Sequence, residues 1–356
     1  MRRLGWIAVV LLALCGAAAP GIAGAADWRP TFELEGPSES LDDADVAVGR
    51  NGDAVLVFSR DDGESTLAVF ARWSVGGGAF SDAVRISEAG EEAYNPRVAV
   101  GADGAATAVF QTGDAANAVL KAATKPAGAA GFGAPDTLSD PGASEQQVAV
   151  DDVGGAVVVW NQASSAVLAS YRDPGDSFTD GDEISGGGSF GDPSVAMDAA
   201  GDAVAVWRED DGSDIRAATA LRPAGGTFGP GSYRSDSGDD ADLPDVAMNA
   251  RGDALVSWTL YQGTDTIQAA TRPAGGAFGD PLDVSEPPDH AYSQRGALDD
   301  AGNAIVAFIQ DTGGESRARY ATGGVGRAFS DPQDASPAGA DAGNPTVATG
   351  AAGQAI

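Results

Sequence analysis

The chain has 356 residues, of which 52 are Asp or Glu and 21 are Lys or Arg, a formal charge of −31. A surface this acidic repels phosphates and anionic membranes, which sets nucleic acid aside as a partner. With one histidine, His290, and one cysteine, Cys15, zinc sites built from His and Cys are excluded by count, and any Ser-His-Asp site would have to use His290.

Residues 1–26 read as an export signal. Met1-Arg2-Arg3 is a short positive start, Leu4 to Leu14 is an apolar run, and Ala23-Gly24-Ala25 or Gly24-Ala25-Ala26 supplies a small-x-small cleavage site. The run is too short to span a bilayer comfortably, so no membrane span is expected after cleavage. The expected location is secreted or at the cell surface. Leu12-Ala13-Leu14-Cys15 leaves lipoprotein anchoring at Cys15 as the rival, although Leu14 is bulky where a lipoprotein signal has a small residue. Once Cys15 is cut away no disulfide can form, and stability must come from packing.

From residue 27 to the end the chain is one unit written repeatedly. Units start at Val46, Val98, Val148, Val195, Val246 and Gly296, and a partial one starts at Val347. Six residues on stands a glycine (Gly52, Gly104, Gly154, Gly201, Gly252, Gly302, Gly353), and two further an alanine. Twelve residues after the start stands a large aromatic: Phe58, Phe110, Trp160, Trp207, Trp258 or Phe308. A second phenylalanine follows in each unit, at Phe80, Phe132, Phe178, Phe228, Phe278 and Phe329.

Each unit reads as four strands. In the fourth, strand a is placed at Ser194 to Asp198, strand b at Asp202 to Trp207 and strand c at Asp214 to Leu221, with Thr227-Phe228 opening strand d. No stretch carries a capped helical period. A four-stranded unit of about 50 residues cannot bury two apolar faces alone, but radial stacking covers both. An immunoglobulin-like array needs roughly 100 residues per unit. The expected fold is an all-β β-propeller with six complete blades and an incomplete seventh. Residues 27–45 are expected to supply a closing strand, because Arg29-Pro30-Thr31-Phe32 matches Arg222-Pro223 through Thr227-Phe228. A seventh blade then lacks most of strand b and all of strand c, so the reading expects a C-terminally truncated piece of a longer protein.

The line Val195-Ala-Met-Asp-Ala-Ala-Gly-Asp-Ala-Val-Ala-Val-Trp207, followed by Arg222-Pro-Ala-Gly-Gly-Thr-Phe-Gly229, resembles the repeats of secreted bacterial β-propellers, loosely the sialidase-like superfamily. Sialidases carry an Asp-box, and Ser59-Arg60-Asp61-Asp62-Gly63-Glu64-Ser65 imitates its start. It lacks the closing aromatic and falls in a b–c turn, so the resemblance carries over no catalytic residue.

The a–b and c–d turns are nearly identical between units, whereas the b–c and d–a connections vary in length and chemistry. In a propeller these two classes emerge on opposite faces, and divergence suits recognition. The ligand-binding candidates on the variable face are Tyr94, Arg97, Asp210, Asp211, Tyr261, His290, Tyr292 and Arg295, with Asp242 and Asp245 beside them. Asp236, Asp239, Asp240, Asp242 and Asp245 crowd one d–a connection, and the last four are the candidate ligands for calcium, the one cofactor the sequence leaves open. The leading function is a non-catalytic binding or interaction scaffold for an extracellular protein or glycan. The alternative is a carbohydrate-active hydrolase or lyase, although 52 acids make any carboxylate pair easy to find and none is singled out.

Overall fold

The computed structural model describes residues 41–350, apart from 64, 65, 187, 189 and 340, together with 353–355. The export signal, Cys15 and the strand expected around Phe32 lie outside the described residues.

Each unit folds into one four-stranded antiparallel sheet whose strands lie side by side in chain order. The first sheet is β1 (Leu41–Val48), β2 (Ala54–Asp61), β3 (Leu67–Ser74) and β4 (Val84–Arg85). The second is β5 (Ala93–Val100), β6 (Ala106–Thr112), β7 (Val119–Lys125) and β8 (Asp136–Thr137). The third is β9 (Ala143–Val150), β10 (Ala156–Gln162), β11 (Ala166–Arg172) and β12 (Asp182–Glu183). The fourth is β13 (Phe190–Met197), β14 (Ala203–Asp210), β15 (Ile215–Arg222) and β16 (Ser232–Tyr233). The fifth is β17 (Asp240–Met248), β18 (Ala254–Tyr261), β19 (Asp265–Arg272) and β20 (Leu282–Asp283). The sixth is β21 (Ala291–Leu298), β22 (Asn303–Thr312), β23 (Glu315–Gly324) and β24 (Gln333–Asp334). First strands of successive sheets pack against each other from β1 through β21, the side-by-side stacking of propeller blades. Among the described residues no helix is long and apolar enough to cross a membrane.

The core lies between blades. Alternate residues of a strand point to opposite faces, and β14 uses both. Ala203, Ala205 and Trp207 join a cluster with Val157, Val159 and Tyr171 of the third blade. Val204 and Val206 join Val256 and Trp258 of the fifth. Burial on both faces explains why these strands read as continuous Ala/Val/Trp. Phe58, Phe110, Trp160, Trp207, Trp258 and Phe308 are all completely buried, each contributing roughly 1.5–3 kcal/mol or more on burial. In β22 burial alternates instead: Ile305 and Ala307 are only half-buried. Ile305 flanks a groove of about 920 Å³ beside Phe329, bordered on its far side by Thr349, Gly353 and Ala355.

Two strand placements differ from the sequence reading. The first strand of each sheet starts earlier than expected, at Phe190 rather than Ser194 in the fourth, and the segment placed at 27–45 contributes its last five residues to β1. The cause is a bulge, argued below. The fourth strand starts later and is only two residues long, Ser232–Tyr233 in place of an opening at Thr227-Phe228. Pro230 and its counterparts Pro135, Pro281 and Pro332 lack the N–H that a ladder needs. Phe228 instead packs part-buried against the inter-blade cluster.

The repeated turns are tied together on one face. Asp53 Oδ1 accepts the Gly76 N–H at 2.7 Å, and Asp202 and Asp253 do the same for Ala224 and Ala274 at 2.7 and 2.9 Å. Gly201 closes the a–b turn of the fourth blade at φ 97°, a conformation that glycine adopts without strain. The variable connections meet on the other face: the Gly113 N–H donates to Glu92 O at 3.0 Å, Ala163 to Gly142 O at 2.9 Å and Asp311 to His290 O at 2.9 Å.

Candidate functional site at the open channel mouth

Every first strand after β1 breaks its register near its start. Three residues before each unit start, a non-glycine residue adopts positive φ: Asn95 at 49°, Glu145 at 56°, Asp192 at 49°, Leu243 at 51° and Ser293 at 57°. These are β-bulges, which bend a strand and re-aim a side chain. For a residue such as Leu243 the left-handed region is costly and persists only where the surroundings impose it. The next residue is Pro96, Pro193 or Pro244, or else Gln146 or Gln294. Proline disfavours right-handed α in the residue before it. The glutamines act across blades: the buried Gln146 donates Nε2 to Asn95 O of the preceding blade, and Gln294 donates to Leu243 O. Gln294 Oε1 also accepts Thr259 Oγ1 at 2.8 Å.

One residue before the unit start, a carboxylate links blades. Asp45 Oδ2 accepts the Val98 N–H at 2.9 Å, and Asp245 Oδ2 accepts Gly296 N–H at 3.0 Å. Burial pushes both carboxyls above the ordinary value, against the pull of Arg97 on Asp45 and of Arg295 on Asp245. Arg97 and Arg295 each donate Nη1 to the carbonyl of the residue before them, at 2.9 and 2.7 Å.

These features surround one cavity of about 620 Å³, walled by five blades and including Tyr94, Arg97, Glu145, Asp192, Leu243 and Arg295. Tyr94 Oη is buried there without a hydrogen-bond partner. Glu145 Oε2 accepts the Asp192 N–H at 2.9 Å. Burial, and then the Glu145 charge, push the Asp192 carboxyl up, while Arg208, 3.6 Å away, pulls it down. Arg208 also reaches Asp242 at 3.4 Å. At the opposite end, Arg50 of the first a–b turn makes a bidentate pair with Asp300 of the sixth, both bonds 2.9 Å. Asp152 of the third blade's a–b turn also feels the Arg50 charge. Arg50 thus ties the first a–b turn to the sixth.

Of the sequence candidates, Tyr94, Arg97 and Arg295 meet at the cavity, together with Asp245. The others serve elsewhere. Asp210 accepts the Gly212 N–H at 2.8 Å, and Asp211 accepts Ser213 and Asp214 N–H at 2.9 and 3.0 Å, building the b–c turn. His290 Nδ1 accepts the Asp265 N–H at 3.2 Å. Tyr292 Oη bonds Asp311 and Ser316 at 3.3 and 3.2 Å. Tyr261 stands exposed at the end of β18, within reach of the charges of Asp242 and Arg208.

Three of the four calcium candidates, Asp240, Asp242 and Asp245, have separate partners. Asp240 accepts the Ile215 N–H at 2.8 Å, Asp242 faces Arg208, and Asp245 faces the sixth blade. β17 runs from Asp240 to Met248, so successive side chains of this segment alternate between its faces. Among the described residues no group of three His, Cys, Asp or Glu is arranged to hold a metal. Asn95, Glu145, Asp192 and Leu243 are among the cavity residues that sequence reasoning missed. The repeated Pro or Gln after them was the available signal.

No protein-family model matches the chain, and no curated protein does. Solved structures do. The BP39L lectin from Burkholderia pseudomallei superposes with a TM-score of 0.58 at 16% identity, over 86% of this chain and 87% of that one. A polysaccharide lyase, the PL25 ulvan lyase bound to -[GlcA(1-4)Rha3S]-, gives 0.51 at 10% identity, over 84% and 83%. The likeness is one of fold. It supports an all-β propeller of four-stranded blades.

Proposed function

We propose that this chain is an exported, non-catalytic β-propeller that binds a glycan, or a glycan-bearing protein, at the open channel mouth. The observation that carries the reading is the 620 Å³ polar cavity whose wall takes residues from five blades. Ligand sites are concave and place a few polar groups on a rigid frame. Asn95, Gln111, Ser144, Gln147 and Ser194 offer such groups between the charged ones. The lectin named above binds through a related fold, which lends support by analogy alone. The export reading rests on residues 1–26, and the kinship with secreted sialidase-like propellers on the repeat line from Val195 to Gly229.

A second reading, a carbohydrate-active hydrolase or lyase, draws on Asp192 and Glu145. Glycoside cleavage needs two neighbouring carboxyls, one of them held above its ordinary value, as burial holds Asp192. A glycan panel read for both binding and product separates the two. Binding without product supports the module. Turnover that Asp192→Asn abolishes supports the enzyme.

The segment from 341 onward is proposed to begin a seventh unit. Asn344 has φ 49°, matching the bulge residues, and Gly350 N–H donates to Gln354 O at 2.8 Å as Gly49 does to Asp53 O. Thr349 Oγ1 donates to Leu298 O at 2.7 Å, docking this turn on the sixth blade.

A further inference from the structure

The mouth is held by more negative than positive charge, and the imbalance is local. Arg97 faces Asp45, and Arg295 faces Asp245, so each of these arginines has a carboxylate in the wall behind it. Arg208 is divided between Asp192 and Asp242. Asp192 also feels the Arg295 charge. Glu145 is exposed, projects from a bulge and makes no ion pair among the described residues; its Oε2 accepts Asn161 Nδ2 at 3.3 Å and the Asp192 N–H at 2.9 Å, and its charge raises the Asp192 carboxyl. The bulge geometry places these two carboxylates on successive blades at the same level of the channel.

An acidic saccharide would add charge to a pair that already repels. A neutral one would leave the repulsion in place. A protonated amine would relieve it, with charge-assisted hydrogen bonds to two oxygen acceptors. Asn95, Ser144 and Ser194 line the same cavity and supply further polar groups able to pair with sugar hydroxyls.

We propose that the channel mouth selects an amine-bearing saccharide, an amino sugar with its nitrogen free rather than acetylated, and that Glu145 and Asp192 form the subsite for the ammonium. The inference rests on the binding reading above and narrows its ligand. Leu243, the apolar member of the bulge ring and 38% exposed, offers a surface for the hydrophobic face of a sugar ring.

The test uses three chain-length-matched probes in low-salt, slightly acidic buffer: a glucosamine tetramer, its fully N-acetylated form and a galacturonate tetramer. Calorimetry on the mature protein should show the glucosamine tetramer binding about ten-fold or more tightly than either other probe. Glu145→Gln with Asp192→Asn should remove that advantage. Both replacements keep an acceptor oxygen, and a thermal melt checks the fold. Asp280→Asn with Asp331→Asn removes the same charge from exposed loops of the opposite face and should leave binding unchanged. Leu243→Lys, which puts a cation in the ring, should weaken the glucosamine tetramer selectively.

Equal affinity for the free and acetylated tetramers would overturn the amine subsite while leaving the binding mouth standing. Equal losses in the two double variants would also overturn it, by assigning the binding to diffuse surface charge. Failure of all three tetramers to bind would count against both the subsite and the saccharide reading beneath it.

Discussion

Gln294 shows how single side chains hold this mouth open. It is fully buried, its amide donates to the carbonyl of Leu243, and its oxygen takes the Thr259 hydroxyl. Gln294→Leu keeps the bulk and leaves that carbonyl and hydroxyl without their partner. Chemical denaturation should register a loss of about 1–3 kcal/mol, the cost of unsatisfied buried polar groups. Asp245 makes a different prediction. Burial raises its carboxyl above the ordinary value, so the folded chain binds its proton more tightly than the unfolded chain does. Between the unfolded and folded values the folded state holds more protons, and stability falls as pH rises across that interval. Asp45 and Asp192 shift the same way. Denaturation midpoints measured from the carboxylate range up to neutral should therefore decline, and Asp245→Asn should make the decline shallower. Its amide oxygen can still accept the Gly296 N–H.

Blades differ in how well they are covered, although their strands are alike. β14 is flanked by two blades, and its first five residues are all buried. β22 has the fifth blade on one side and, on the other, a groove that among the described residues is reached by the short turn around Thr349. Hydrogen exchange should find β22 and β23 opening before β14 and β15, since local stability follows burial. The contrast between strands also explains what could be read beforehand. The Ala/Val/Trp run from Ala203 to Trp207 announces a strand because both of its faces are apolar. The start of β13 is hidden because Asp192 adopts a left-handed conformation without being glycine, so no composition signal marks the bulge. The two-residue strands at Ser232–Tyr233 and its equivalents carry no periodicity long enough to see. Phe228 drew the strand toward itself, although it fills a space between blades from a loop.

At the scale of the whole molecule, the charge of −31 is a standing internal repulsion. Salt screens it over about 8 Å at physiological ionic strength. Thermal melts should move upward on adding sodium chloride, and a midpoint that stays flat would mean that local pairs already balance the charge. The sorting of turns into two faces was legible in the sequence because repetition and divergence within one chain can be compared directly. The meeting of Tyr94, Arg97, Glu145, Asp192 and Arg295 was legible only in part: residues about 200 apart in the chain converge through blade geometry, and spacing alone does not rank them. Arg50 and Asp300 give the ring one further property. They fasten the a–b turn of the first sheet to that of the sixth through two hydrogen bonds of 2.9 Å. Such a pair is a clasp between sheets about 250 residues apart in the chain, and these two turns can part only after both of its charge-assisted bonds have broken.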